Sequence, residues 1–489
     1  MKKSIFGILI LVESCFLALS TLVSLCYGEE DWHALLLTTL IALCVGSFCK
    51  WWGGNSENER LSRTDSFMIV TLSWIVFSLI GMLPFIFYED MDVASAFFET
   101  ISGFTTTGAT CIDDIDRMTH GLLFWRSITQ WMGGLGIVVF SFALIPVHEM
   151  KNSNVFSAEV TGIGLDKLRP KIGSTARRLL IIYLCLTSVC ALCYWAGPMN
   201  FYDAVNHAMT TIATGGFSTH SASIGFFHSG YLEYICSFFM LISSVNFSLY
   251  YYLTIRRSKV LFKNEEIRTF FGIVAFMVVM FFLLFYHGNA VACGERIPHG
   301  FEETFRTALF HVSSVITSTG FSGQVFDYVA WGAIFWMPTV LIMTIGGCAG
   351  STAGGIKVIR AIICCKAVIN ELILQLHPRA VLGIRVGGQM VADDRIRRTL
   401  TFVFIYIVLV IIGMVAHPLL GADVDTALGS CISMLSNVGP GTGSIGPAST
   451  FSHVPAAGKW LMSFYMLVGR LEIYTVLFLL LPQYWREKK

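Results

Sequence analysis

Apolar residues fall along the chain in ten stretches, near 4–27, 33–50, 66–88, 121–146, 177–198, 230–254, 269–290, 331–364, 399–419 and 459–483. A hydrocarbon core of about 30 Å takes roughly 20 helical residues, so each stretch predicts a membrane span. The first follows Lys2 and Lys3. It is long and has no small-residue cleavage site, which predicts a retained helix instead of a removed signal peptide.

The polar intervals between these stretches carry an orientation. With a cytoplasmic amino terminus and alternating sides, 27 of the 33 Lys and Arg fall in inward-facing segments. The excess predicts that both termini are cytoplasmic. The exceptions are Arg117, Arg126, Arg296, Arg306, Lys459 and Arg470, outside or within the membrane.

Composition agrees with lipid as the solvent. The 489 residues are 55% hydrophobic and 13% charged, against about 25% charged in a soluble protein. Lys and Arg total 33 against 32 Asp and Glu, so no basic footprint for nucleic acid and no acidic tail is present. The fourteen cysteines have no recurring spacing for a disulfide framework or a zinc site and read as small apolar fillers.

Four loops on the outer side are too apolar for simple connections and too short to cross. They run 92–110, 203–219, 302–323 and 425–443, each a short helical stretch ending in a Gly-centred turn rich in Ser and Thr. With Gly108, Gly215, Gly320 and Gly439 set level, the intervals are 107, 105 and 119 residues. Each period holds an outward span, a re-entrant stretch and an inward span, which predicts a fourfold internal repeat. The units divide as an amino-terminal two-helix hairpin at 1–60 and repeats at 61–150, 151–263, 264–365 and 366–489.

Backbone without partners survives at membrane depth only inside protein or beside a watery cavity. Four such loops can meet on one axis. An acid stands near the start of each stretch, at Asp92, Asp203, Glu302 and Asp425, as suits a half-helix running inward whose carboxyl end aims partial negative charge at the axis. Gly lets carbonyls swing toward the centre, and a ring of neutral oxygens replaces water around a dehydrated monovalent cation.

With these residues in view the sequence resembles the Trk/Ktr/HKT superfamily of potassium transporters over about residues 60–485. The extra hairpin makes it more similar to the TrkH-type subunit than to the shorter KtrB type. The resemblance implies an all-α integral membrane protein with four tandem helix, pore-helix, helix repeats around a central ion pathway. It further implies filter segments Thr106-Thr107-Gly108-Ala109-Thr110, Ala213-Thr214-Gly215-Gly216-Phe217, Ser318-Thr319-Gly320-Phe321-Ser322 and Asn437-Val438-Gly439-Pro440-Gly441. They lack the Tyr of a full potassium-channel filter and mostly its second Gly, which implies looser selectivity, with some passage of sodium or rubidium.

The stretch 331–364 is too long for one straight crossing, and Gly346, Gly347, Gly350, Gly354 and Gly355 interrupt it. Lys357 follows Ile356 and not a Gly, so the spacing of a phosphate-binding loop fails. Close helix packing through small residues is one reading. The resemblance implies another, an intramembrane gate under the filter.

Arg470 lies about midway along the last stretch, where a guanidinium costs on the order of 3 kcal/mol without partners. Glu472 is two residues away, on a different helix face, so no internal pair is expected. The resemblance implies that Arg470 opposes cation passage below the filter, and holding the carbonyls of a broken neighbouring helix is a compatible role. His207 and His311 read as packing histidines, and Glu99 as a support accepting backbone donors behind the first loop. His148-Glu149 lacks the second His of a helical zinc motif, and no nucleophile, base and oxyanion set stands out, so enzymatic function finds no support.

The expected function is uptake of K⁺, the transported ion, across the bacterial inner membrane, with no covalent cofactor. The competing reading is a proton- or sodium-coupled symporter. Such a carrier would show acids at mid-membrane and inverted repeats, whereas these repeats share one orientation and their loops are neutral. Expected partners are membrane lipid and, by the resemblance, a second copy in a homodimer and a cytoplasmic TrkA-type nucleotide-binding regulatory subunit. The basic segment near 356–398 offers the last a docking surface.

Overall fold

The computed structural model describes residues 2–53, 63–134, 136, 172–254, 263–286, 300–324, 329 and 332–482. His148, Glu149, Arg296 and most of the inward segment between the first two repeats lie outside these residues.

Helices α1 (Lys2–Tyr27) and α2 (Trp32–Trp52) form an antiparallel hairpin. Small residues set its closeness, because a Cβ on Gly7 would run into the Gly46 carbonyl and the Lys50 backbone. Its turn docks on the chain ahead. Asp31 accepts from the Thr119 hydroxyl at 2.7 Å and the Leu122 N–H at 3.1 Å, and Glu29 accepts from the His120 N–H at 2.6 Å.

Four units follow. The first comprises α3 (Arg63–Gly81), continued by α4 (Leu83–Glu89), then α5 (Val93–Phe104) and α6 (His120–Gly134); the second comprises α7 (Ile172–Trp195), α8 (Phe201–Ile212), α9 (Gly230–Ser243) and α10 (Phe247–Thr254). The third is α11 (Glu265–Tyr286), α12 (Phe301–Ile316), α13 (Ala333–Ile345) and α14 (Val358–Leu376). The fourth is α15 (Asp393–Leu419), α16 (Val424–Ser436), α17 (Ala456–Arg470) and α18 (Tyr474–Leu480). A small hairpin of β1 (Arg385–Val386) and β2 (Gln389–Met390) follows α14.

The re-entrant helices α5, α8, α12 and α16 are short and buried along nearly their whole length. Asp92 caps α5 by accepting from the Ala94 and Ser95 N–H groups, both at 3.1 Å, and Asn200 caps α8 through the Asp203 N–H at 2.7 Å. Their packing closes a circle: α6 of the first unit touches α8 of the second, α9 touches α12, α13 touches α16, and α17 of the fourth returns to α5.

Six helices among the described residues are long and apolar enough to cross a membrane alone, and a seventh crossing is the pair α17 and α18, bent by 120°. This corrects the reading of continuous spans at 230–254 and 459–483. The chain breaks at 244–246 and 471–473, and the expected interruption of 331–364 is the loop 346–357. Every unit therefore has an unbroken first helix and, in units two to four, a broken inward helix. At 244–246 local composition favours helix, but freed backbone groups find partners across the molecule: the Cys348 N–H donates to the Ser244 carbonyl at 3.0 Å and the Phe247 N–H to the Gly350 carbonyl at 3.1 Å.

Candidate functional site

Each re-entrant helix ends in one repeated backbone geometry. Thr106, Thr214, Ser318 and Asn437 have φ of 53°, 53°, 54° and 53°, and two residues later Gly108, Gly216, Gly320 and Gly439 have φ of 80°, 81°, 79° and 97°. Hydrogen bonds repeat in step: the N–H of Thr107, Gly215, Thr319 and Val438 donates to the carbonyl of Ser102, Thr210, Ser314 and Ser433 at 2.9 Å in every case.

This register corrects the sequence alignment by one residue in the second repeat. Gly216, not Gly215, stands level with Gly108, Gly320 and Gly439, and Ala213 corresponds to Thr105 and Thr317, on the helix side of the segment. Gly-Gly offered two possible anchors, and sequence spacing had no means to choose between them. Only the second glycine takes the left-handed conformation.

The four segments close into a ring. A Cβ added to Gly108 would strike the carbonyl of Gly215, one on Gly216 that of Thr319, one on Gly320 that of Val438, and one on Gly439 that of Thr107. Each glycine thus abuts the carbonyl of the next repeat in cyclic order, and the fourth returns to the first. Any side chain at these positions is excluded both by φ and by this approach. Thr106, Thr107, Thr214, Ser318, Thr319, Asn437 and Val438 are buried.

The ring is braced from behind by groups the elements deliver one by one. Glu99 accepts from the Cys111 N–H at 2.8 Å and the Thr110 hydroxyl at 3.1 Å, as expected of a support, and pairs with Arg126 at 2.9 Å. Arg126 also donates to the Ser218 carbonyl at 3.2 Å, tying the first segment to the second. His207 spends one ring nitrogen on the Asp203 carbonyl at 2.8 Å and the other on Ser218 Oγ at 2.9 Å; His311 meets Thr339 Oγ1 at 2.9 Å. Both are packing histidines. The Ser314 hydroxyl donates to the Phe321 carbonyl at 2.7 Å and that of Ser433 to the Gly439 carbonyl at 2.9 Å.

Gln130 was not found by sequence reasoning, although a lone amide in an apolar run is a recognisable signal. Its Nε2 donates to the Gly215 carbonyl at 2.7 Å and its Oε1 accepts from the Phe217 N–H at 3.0 Å.

Beneath the ring lies the glycine-rich loop. The Ile356 and Lys357 N–H groups donate to the Thr344 and Ile345 carbonyls at 3.0 and 2.9 Å, so the loop doubles back on its own stem. Thr352 Oγ1 donates to the Ile212 and Ser243 carbonyls at 3.2 and 3.3 Å, and the Gly354 N–H to Ser318 Oγ at 2.5 Å. A Cβ on Gly354 would collide with the Ser436 carbonyl. The loop is wedged against the inner ends of the second, third and fourth segments. Lys357 donates to the Ala353 carbonyl inside it and binds no phosphate-loop geometry.

Arg470 ends α17 at the bend, not midway along a continuous helix. Its guanidinium donates to Thr106 Oγ1 at 3.1 Å, the Thr352 carbonyl at 2.8 Å, the Gly134 carbonyl at 3.0 Å and the Gly133 carbonyl. One side chain therefore joins the first segment, the loop and the end of α6. Glu472 pairs with Arg360 of α14.

At the outer mouth, His220 links Asp116 at 2.8 Å and Asp203 at 3.3 Å, joining the first and second units. Burial alone would lower its pKa, but hydrogen bonds to Asp203 and Asp116 prevail and raise it. Burial would raise Asp116, yet bonds from His220 and Ser221 hold it below the usual carboxylate range. The thirteen described cysteines are unpaired thiols, and no group of three or more metal-ligating side chains occurs among the described residues.

Known proteins share this fold. A family profile described as TrkH, cation transport protein, matches residues 33–487. The Trk system potassium uptake protein TrkH of Escherichia coli K12 is 37% identical over 489 residues, 99% of this chain and 98% of that protein. The TrkH of Salmonella typhimurium is 38% identical with the same coverage. The crystal structure of the potassium transporter TrkH from Vibrio parahaemolyticus superposes with a TM-score of 0.88 at 34% identity, covering 99% of both chains. Ring, repeats and relatives converge: this chain is a multi-pass membrane protein that belongs to the TrkH family of cation transport proteins.

Proposed function

We propose that the chain takes up K⁺ across the bacterial inner membrane by channel-like passage, with both termini cytoplasmic. The observation that carries the reading is the cyclic contact of Gly108, Gly216, Gly320 and Gly439 with the preceding carbonyls of their neighbours. A closed ring of neutral oxygens suits a monovalent cation stripped of water. Residues 106–108, 214–216, 318–320 and 437–439 form the filter, without Ala213. Gly346, Gly347, Gly350, Gly354 and Gly355 shape the gate loop, and Arg470 holds it shut while placing positive charge below the ion. The four units of this pathway divide near 60, 150 and 263 and, instead of at 365, after α14 ends at Leu376.

The basic face after α14, including Arg379, Arg385, Arg395, Arg397 and Arg398, serves as the docking surface for a TrkA-type nucleotide-binding regulatory subunit, and two copies of the chain pair in the membrane. A potential negative inside supplies about 2.3 kcal/mol per charge per 100 mV to draw the cation inward.

Radiotracer uptake into proteoliposomes tests the reading. Labelled K⁺ should accumulate under imposed voltage alone. Accumulation that requires a pH or sodium gradient at zero voltage would replace the channel-like reading with coupled symport.

A further inference from the structure

The filter ring is unequal. Its carbonyls belong to Thr107, Gly215, Thr319 and Val438, and among the described residues a side-chain donor reaches the Gly215 oxygen alone, from Gln130 Nε2 at 2.7 Å. Gln130 is fully buried. It stands on α6, in the first unit, and grips a segment of the second, since its Oε1 also holds the Phe217 N–H at 3.0 Å. Its presence accounts for the odd residue of the ring: where the other segments carry Thr107, Thr319 and Val438, the second carries Gly215, and a Cβ there would run into the Gln130 carboxamide.

A carbonyl oxygen has two lone pairs, and one N–H donor occupies the first while drawing electron density from the second. Discrimination among cations by neutral oxygens depends on how many ligands there are, how strong each is and how far the ring can contract. Gln130 acts on all three, weakening one ligand and pinning the segment on both sides of Gly216.

We propose that Gln130 is a specificity-determining positioning residue of the filter, which keeps the second segment from closing on a smaller ion and leaves a ring of three free carbonyls and one shared. This rests on the cation-uptake reading above.

The test measures uptake of labelled K⁺ and Na⁺ into voltage-driven proteoliposomes by the full chain and by Gln130→Leu, Gln130→Glu and Ser127→Ala. The Ser127 hydroxyl bonds within its own helix, to the Leu123 carbonyl at 3.1 Å, so its variant controls for a polar deletion in α6. Expected is a several-fold fall in the K⁺/Na⁺ uptake ratio for Gln130→Leu and for Gln130→Glu, which keeps the acceptor for Phe217 but loses the donor to Gly215. Ser127→Ala should match the parent. Gly215→Ala should reduce K⁺ uptake, and adding Gln130→Ala should restore part of it by making room for the methyl group. An unchanged ratio in a Gln130→Glu protein that elutes and melts like the parent overturns the proposal. Absence of voltage-driven uptake by the parent overturns the uptake reading instead.

Discussion

At the scale of single residues the molecule concentrates polar atoms where lipid would forbid them. Arg470 is the extreme case, with four oxygen acceptors drawn from α5's terminus, the glycine loop and the end of α6. Its position in an apolar run was visible in the sequence, as was the need for partners, because an unpaired guanidinium in hydrocarbon is costly. Its partners were not, since they lie at separations of 118 to 364 residues. Replacing it removes a charge, its tie to the loop at the Thr352 carbonyl, and its ties to Thr106 and the end of α6. Arg470→Ala should raise cation flux into liposomes several-fold at fixed voltage; unchanged or lower flux would remove it from the gate. Glu99 shows the opposite degree of legibility, since a support role was readable from its place in α5 and the structure supplies its two loop donors and Arg126.

At the scale of elements, the first helices of the units follow apolar patterning closely, whereas the inward helices α9, α13 and α17 all stop early. Glycines explain the break after α13, but nothing in Ser244-Val245-Asn246 or Leu471-Glu472-Ile473 marks a break as firmly. The break after α9 is stable because loop 346–357 satisfies backbone groups that an uninterrupted helix would bond internally. Shortening the loop between Gly346 and Gly355 should therefore raise basal flux, read as tracer uptake without any regulatory partner, and uptake at parent level would sink the gate assignment. The amino-terminal hairpin carries a different feature. Glu13 of α1 is fully buried, and neither carboxyl oxygen has a hydrogen-bond partner among the described residues. Leaving a buried polar group unsatisfied costs about 1–3 kcal/mol, so Glu13→Leu should raise the melting temperature in detergent, with a lower one indicating a partner in the native membrane.

At the scale of the whole molecule, closure of the ring turns four tandem units into one site, and links between units matter most. His220 is such a link at the outer mouth, bonded to Asp116 of the first unit and Asp203 of the second. Its folded pKa is raised above the ordinary value of about 6.5. The stabilisation it contributes is therefore complete below that ordinary value and is lost as pH rises through the folded one. The melting-temperature gap between the parent and His220→Gln should be widest at acid pH and close on the alkaline side, and a gap independent of pH would deny the linkage. The sequence by itself determined the membrane class, the number of units, their re-entrant stretches and the glycine-rich interruption. These follow from short-range physics: apolar length matched to lipid, helix-breaking glycines, and a motif repeated along one chain. The tertiary structure alone decided that Gly216 and not Gly215 completes the ring, that the inward helices break, and that Gln130, Arg126 and Arg470 reach across units. Those outcomes depend on which carbonyl meets which donor after chain closure, and residues a hundred positions apart leave no local periodicity from which to read it.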